Sequence, residues 1–403
     1  MPSPYQRAYT RIKGSPVFVG SVAFLLYRIA ITAVIALLAF YLPPTPEAAP
    51  DREIVHSETE ALAQNPVSEY LVLPWFRWDT VDYVSLSIDG YNPDNNNTVW
   101  PPLYPFLIKM LNLIVADPVV CALIISNLAA WGFFILLAGY TGRFYDKSLV
   151  KETLFWITAF PTAFFLVAGY TESLFLLFAL ACLFFARNRK WLPAGLFGVL
   201  AILTRNQGIV LCLPILVLMV QEHHESAFKL TVSELLKRVI ALGMIPMAFM
   251  IYVLYVKWIV QAPWPWVALK NGWYIVMRWP WIGLFGNFST LCIPSHVIVS
   301  PIFSRTSDLV LTLLAFFILI KMRRKTYLYE LSYAWGSMAL MMCKTVGGIV
   351  TSSYSRYLLS VYVIFIGLSQ IVKGRWSRLA LFFFFATSQA ILLAYFEMWG
   401  FVA

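Results

Sequence analysis

The sequence predicts an all-α polytopic membrane protein, on three observations. Of its 403 residues, 60% are hydrophobic and 12% are charged, where a soluble domain carries ~25% charged residues. Apolar runs long enough to be membrane spans recur along the chain, beginning with 17–43. The Lys and Arg residues gather between those runs in a pattern that the positive-inside rule can order. The net charge of +10 therefore reads as membrane topology, and no nucleic-acid partner is expected.

The elements follow in order. Run 17–43 is too long for a signal-peptide core and lacks a small-residue cleavage site, so it is expected to be the first spanning helix. Arg28 within it faces the bundle interior or snorkels. Residues 44–100 then hold ten acids against two bases, Arg52 and Arg77. The run 101–116 opens on prolines and carries Lys109, so it is expected to lie in the interface rather than to span. That assignment keeps the basic stretch 143–151 inside. The expected crossings are then 17–43, 118–142, 152–168, 173–186, 191–204, 209–221, 239–260, 308–320, 327–343, 356–372 and 379–396. These eleven spans put the N-terminus inside and the C-terminus outside. Several are shorter than the ~20 residues of a full crossing, and the 191–221 hairpin is expected to turn within the membrane depth. Residues 1–403 form a single transmembrane domain with two large outer regions. These are a helical 44–117 and a Trp- and Pro-rich 261–307.

This parity places four polar islands on one face: 77–105, 169–173, 204–208 and 344–356. A helix expected over 77–88 puts Asp79 and Asp82 on one side. Glu172 stands at a helix start, where its bland reading is a first-turn acid favoured by the helix dipole. Arg205 is a charge in an apolar setting and needs an anionic partner. The fourth island supplies Lys344, Ser353, Tyr354, Arg356 and Tyr357, the last four after Gly347-Gly348. Acids and bases gathered at a membrane boundary suit a lipid-linked anionic substrate. The bases hold a phosphate, and a carboxylate takes a proton from an attacking hydroxyl.

Plainer readings stand beside these. Arg77 pairs with Asp79 or Asp82, and Trp78 and the Trp cluster at 264–281 anchor at the membrane interface. Asn96-Asn97-Thr98 and Asn287-Phe288-Ser289 are formal glycosylation sequons. The five cysteines (121, 182, 212, 292, 343) and four histidines (56, 223, 224, 296) show no metal-ligand spacing, and no Gly-rich phosphate loop is present. No metal or cofactor is therefore expected, and the cysteines read as packing residues.

The segments RWDTVDYVSLSIDGY, WPPLYP, YTESLF, LTRNQG, SRYLL and the terminal MWGFVA resemble the PIG-V type mannosyltransferases of the GT-C glycosyltransferase superfamily. The likeness runs from about residue 17 to the end. It implies a GT-C type bundle and a hexose, usually mannose, donated by a polyprenyl- or dolichyl-phosphate. The acceptor would be a glycan or a lipid-linked molecule on the extracytoplasmic or lumenal face. The membrane would be the plasma membrane in a prokaryote and the endoplasmic reticulum in a eukaryote. Carried residue by residue, the resemblance makes Asp79 the general base of an inverting displacement, assisted by Asp82, with Glu172 as the acid of the second outer loop. Arg205, Arg356 and Lys344 would hold the lipid phosphate, and Arg77, Trp78, Tyr91, Tyr104 and Tyr357 would line the substrate site. The chain is short for the family, and 261–307 reads as a reduced outer loop. The competing classes are a secondary transporter and a non-catalytic subunit of a glycosylation complex. No internal repeat supports the former, and an intact RWD with Asp79 and Glu172 weighs against the latter.

Overall fold

The computed structural model describes residues 14–43, 49–94, 96–225, 231–289, 302–347 and 353–402. The first helix, α1 (Pro16–Tyr41), starts with proline at its first turn, where no backbone donor is lost, and Ser15 caps it by accepting from the Phe18 amide at 3.1 Å. The segment after it folds as short helices: α2 (Glu53–Ala63), α3 (Pro66–Leu71), α4 (Asp79–Asp89) and α5 (Leu103–Val115). Helix α5 buries Tyr104, Pro105 and Ile108 while Leu113 and Ile114 stay exposed, the one-sided pattern of a helix lying on a surface.

The bundle continues with α6 (Pro118–Phe144), α7 (Leu149–Ala159), α8 (Glu172–Arg187), α9 (Trp191–Thr204), α10 (Cys212–Glu225) and α11 (Val232–Leu254). A second connecting region carries α12 (Pro265–Trp273), strand β1 (Ile275–Met277) and α13 (Pro280–Ser289). Then come α14 (Ile302–Met322), α15 (Leu328–Cys343), strand β2 (Lys344–Val346), α16 (Tyr354–Leu359), α17 (Val363–Ile371) and α18 (Arg375–Glu397). The two strands pair antiparallel, with Met277 opposite Lys344 and Ile275 opposite Val346. Cys292, His296 and Gly348, and the side chains of His224, Asn287 and Ser289, lie outside the described residues.

Six stretches among the described residues are long and apolar enough to cross a membrane: 16–41, 118–144, 206–223, 232–259, 302–322 and 375–397. The other five expected crossings fold as shorter or broken helices: α7, α8, α9, α15 and the α16–α17 pair. At 1.5 Å per residue, α8 is about 24 Å long, short of the ~30 Å hydrocarbon core. The breaks have local causes. Pro161 stops α7, and a 3₁₀ turn over Ala163–Leu166 carries the chain on. Ser360, Val361 and Tyr362 separate α16 from α17. The broken backbone lies inside the protein, where non-helical segments at membrane depth are tolerated.

The core is a continuous apolar cluster running through α1, α6, α7, α8, α15, α17 and α18, including Phe134, Trp156, Phe165, Phe365 and Phe396. Cys121 and Cys182 are buried in the packing. A cavity of about 770 Å³ opens between α1, α7 and α18 with mostly apolar walls, away from the charged network described next.

Candidate active site at the head of α4 and α8

Asp79 is the first residue of α4, and the residue before it is strained. Trp78 has φ 49, a region that costs a non-glycine residue of order 1 kcal/mol or more unless its surroundings hold it. The C-terminal segment does so. The Trp78 indole meets Trp399 edge-on at 6.1 Å and Phe401 at 5.3 Å, and its Nε1 donates to the Gly400 carbonyl at 3.2 Å. Arg77 is buried beside it. Its Nε donates to the Glu397 carbonyl at 2.9 Å, its Nη1 to the carbonyls of Leu73 at 2.7 Å and Phe76 at 3.1 Å, and its Nη2 lies 3.5 Å from Glu397 Oε1. Arg77 therefore pairs with Glu397, not with Asp79 or Asp82. In the Arg-Trp-Asp triplet, the first two residues anchor and the third faces the bundle.

The loop ahead of α8 is fitted against α4. Thr80 Oγ1 donates to the Gly169 carbonyl at 3.3 Å, and a Cβ on Gly169 would lie 2.7 Å from Thr80 Cγ2, so only glycine permits this approach. The Tyr83 hydroxyl is 3.1 Å from Thr171 Oγ1. Ser126 Oγ donates to the Tyr170 carbonyl at 2.7 Å, and the Tyr104 hydroxyl lies 2.7 Å from Ser126 Oγ and donates to the Ala122 carbonyl. These contacts fix Glu172 at the first position of α8.

Arg205 reaches Glu172 from the end of α9. Its backbone is extended (φ −147, ψ 135), and a 3₁₀ turn over Asn206–Leu211 doubles back onto α9. A Cβ on Gly208 would lie 2.5 Å from Ile202 Cα, so the fold-back needs glycine. Arg205 Nη1 pairs with Glu172 Oε1 and lies 3.0 Å from Thr171 Oγ1.

Arg356 arrives on the short helix α16, whose start is also held from outside. Asp308 of α14 accepts from the amides of Tyr354 at 3.2 Å and Ser355 at 2.7 Å. The sequence reading missed this acid. Its signal was an ionisable residue inside an apolar helix. Arg356 bridges the two acids, with Nε 2.5 Å from Glu172 Oε1 and Nη2 2.5 Å from Asp79 Oδ2. Its guanidinium lies over the rings of Tyr170 at 4.7 Å and Phe165 at 5.1 Å, a desolvated cation–π setting.

Four residues distant in sequence thus form one chain of contacts: Asp79–Arg356–Glu172–Arg205. Both guanidinia converge on Oε1 of Glu172, while its buried Oε2 has no hydrogen-bond partner. The side chain of Glu172 is 1% exposed and that of Asp79 is 15% exposed, so Asp79 is the acid that a ligand from outside can reach. Next to the chain stands Tyr357. Lys344 Nζ lies 4.6 Å above its ring and Arg205 approaches it at 5.5 Å.

The other expected site residues lie elsewhere. Asp82, one turn along α4, turns to Arg52 at 2.9 Å instead of joining Arg356. Burial pushes its pKa up to about 6, with Arg52 opposing and Asp79 adding to the rise. Tyr91 donates to the Trp100 carbonyl at 2.6 Å and rests against Tyr252, closing the loop after α4. Tyr104 is fully buried among its own partners. Neither tyrosine touches the charged chain. The Trp cluster forms two stacked pairs, Trp264 with Trp266 and Trp279 with Trp281, each at 5.1 Å.

Fold and site together define a polytopic all-α membrane protein with a buried acid–guanidinium network at one end of its bundle. Two comparisons bear on which one. No family model matches the chain. Over 159 residues it is 25% identical to GPI mannosyltransferase 2 of Schizosaccharomyces pombe (strain 972 / ATCC 24843), covering 38% of this chain and 33% of that protein. The chain spans about a third of the length of this curated relative.

Proposed function

We propose that the chain is an integral membrane glycosyltransferase. It moves a hexose, mannose by its likeness to the fission-yeast mannosyltransferase, from a polyprenyl- or dolichyl-phosphate donor to a glycan or lipid-linked acceptor on the extracytoplasmic face. The observation that carries this reading is the partly exposed Asp79 joined through Arg356 to Glu172 and Arg205, with Lys344 beside them. A carboxylate next to a cluster of cations provides both halves of a phosphate-leaving displacement.

Asp79 is the general base. It takes the proton of an acceptor hydroxyl as that oxygen attacks the anomeric carbon with inversion. The phosphate leaves from the opposite side, its developing charge met by Arg205, Arg356 and Lys344. Glu172 holds both guanidinia in place. Arg77 and Trp78 act through the strained start of α4 by fixing where Asp79 points. Asp82 ties α4 to Arg52 and tunes the local field. No metal or nucleotide is required, because a phosphate neutralised by cations is already a competent leaving group.

The test is mannose transfer from synthetic polyprenyl-phosphate mannose by the purified protein in lipid, next to Asp79→Asn. Transfer or donor hydrolysis that largely disappears in the folded variant is the expected result. Unchanged activity in the variant would move the base elsewhere. No turnover with several donors, together with saturable solute uptake into vesicles, would replace the enzyme reading with a transporter.

A further inference from the structure

One of the two carboxylate oxygens of Asp79 is already engaged in this structure. Its Oδ2 is engaged by Arg356 Nη2 at 2.5 Å, while Arg356 Nε is held by Glu172 at 2.5 Å. The guanidinium that stands beside the reaction centre also occupies the base. The five charged side chains Asp79, Glu172, Arg205, Arg356 and Lys344 carry one more positive charge than negative. The directly linked side chains are two acids, Asp79 and Glu172, and two cations, Arg205 and Arg356. Lys344, which has no carboxylate partner among the described residues, adds a third cation across the Tyr357 ring. The flanking pairs Arg77–Glu397 and Arg52–Asp82 are each neutral, and Asp308 is met by two backbone amides.

We infer that Arg356 exchanges Asp79 for the donor phosphate, so that the base is fully released only once the donor is seated. This rests on the glycosyltransferase reading. A phosphodiester docking between Lys344 and Arg205 offers Arg356 Nη2 two anionic oxygens in a site of low dielectric, where charge-assisted bidentate contacts are strongest. Glu172 keeps its hold on Nε, so the guanidinium pivots and does not leave.

The charge count stays balanced throughout. The donor brings one negative charge and makes the network neutral. In the transfer, the acceptor O–H proton passes to Asp79, the bond from acceptor oxygen to anomeric carbon forms, and the bond from that carbon to the phosphate oxygen breaks with its electron pair staying on phosphate. The departing monoester gains one negative charge as Asp79 loses its own. A buried site therefore carries no uncompensated charge before or after the step, which is the condition for low cost in a desolvated setting.

The experiment uses the whole chain in lipid nanodiscs with synthetic polyprenyl-phosphate mannose, a phosphodiester, as the probe and no acceptor present. Carbodiimide labelling of carboxyl groups is read by mass spectrometry at Asp79, with Asp82 and Glu397 as internal references, and native mass spectrometry reports whether the lipid is bound. The expected result is bound lipid with Asp79 labelling raised several-fold and Glu172 still protected. Bound lipid with Asp79 labelling unchanged or lowered overturns the exchange while leaving the glycosyltransferase reading intact. Failure of the lipid to bind removes that reading and the exchange with it. Arg356→Gln should show high Asp79 labelling without lipid, and protection equal to wild type would also overturn the proposal. The wild-type comparison does not depend on that variant folding.

Discussion

Two glutamates are buried at opposite ends of the bundle, and their partners differ. Glu172 heads α8 and meets the guanidinia of Arg205 and Arg356. Glu330, in the first turn of α15, accepts instead from the hydroxyls of Tyr140 and Tyr145, with Tyr329 2.6 Å from Tyr140. The nearby Arg187 lies over the faces of Tyr327 at 4.7 Å and Tyr329 at 5.6 Å. Ser126 by the first site and Tyr140 by the second are about 21 Å apart along α6 at 1.5 Å per residue. One carboxylate is held by charge and the other by neutral donors. A charge-held acid stands among cations that a second anion can share, so the site can exchange partners. The hydroxyl-held acid makes no ion pair among the described residues, since Arg187 lies over tyrosine faces instead, and it acts as a lock between helices.

The largest effect that can sharpen this contrast is catalytic. Asp79→Asn keeps a side chain that Arg356 can still meet, so the protein should fold, while the proposed mannose transfer should fall by about 10²–10⁴, the share a general base contributes. Transfer and thermal unfolding measured on the same preparation separate these outcomes. The next effect is on stability. Glu172→Gln leaves the buried Arg205 without its anion and Arg356 with Asp79 alone, and should cost about 3–5 kcal/mol, as for other broken buried ion pairs. Glu330→Gln loses a charge but keeps an acceptor and gains a donor for the tyrosine hydroxyls, so it should cost about 1 kcal/mol. Unfolding temperatures in detergent compare the two directly. Equal losses at both positions would end the distinction between a charge-held and a hydroxyl-held acid.

The sequence made part of this legible and concealed the rest for physical reasons. Apolar run lengths and charge asymmetry order the crossings, and that order alone puts positions 79, 172, 205 and 356 on one face. Their direct contact is what the structure adds. The helix expected over 77–88 starts two residues later, at Asp79, because Arg77 and Trp78 are pinned to the C-terminal segment. That pinning was not legible. Glu397 lies 320 residues from Arg77, and nothing local indicates how deep the end of α18 sits. Asp308 was hidden in the same way, since its partners are backbone amides that leave no mark on composition. The short length of α9 was legible in the brief apolar run 191–204, but the break after α7 was not, because broken backbone buried in protein is as apolar in sequence as an intact span.

The smallest predicted effect tests where Asp82 belongs in this comparison. It pairs with Arg52 at 2.9 Å, but the two side chains are 25% and 40% exposed, so the pair adds at most about 1 kcal/mol. Burial is the stronger influence and pushes the Asp82 pKa up to about 6 from 3.8. A carboxyl raised in the folded state binds its proton more tightly there than in the unfolded chain. Stability is therefore lost as pH rises from about 4 to 6 and stays lost above that. Asp82→Asn has no proton to lose, so its unfolding temperature should gain on the wild type across that window and run parallel above it. If the wild type instead gains on the variant as pH rises, the Arg52 contact outweighs burial. Asp82 would then belong with Glu172 among the charge-held acids, and the reactive face of α4 would carry two of them.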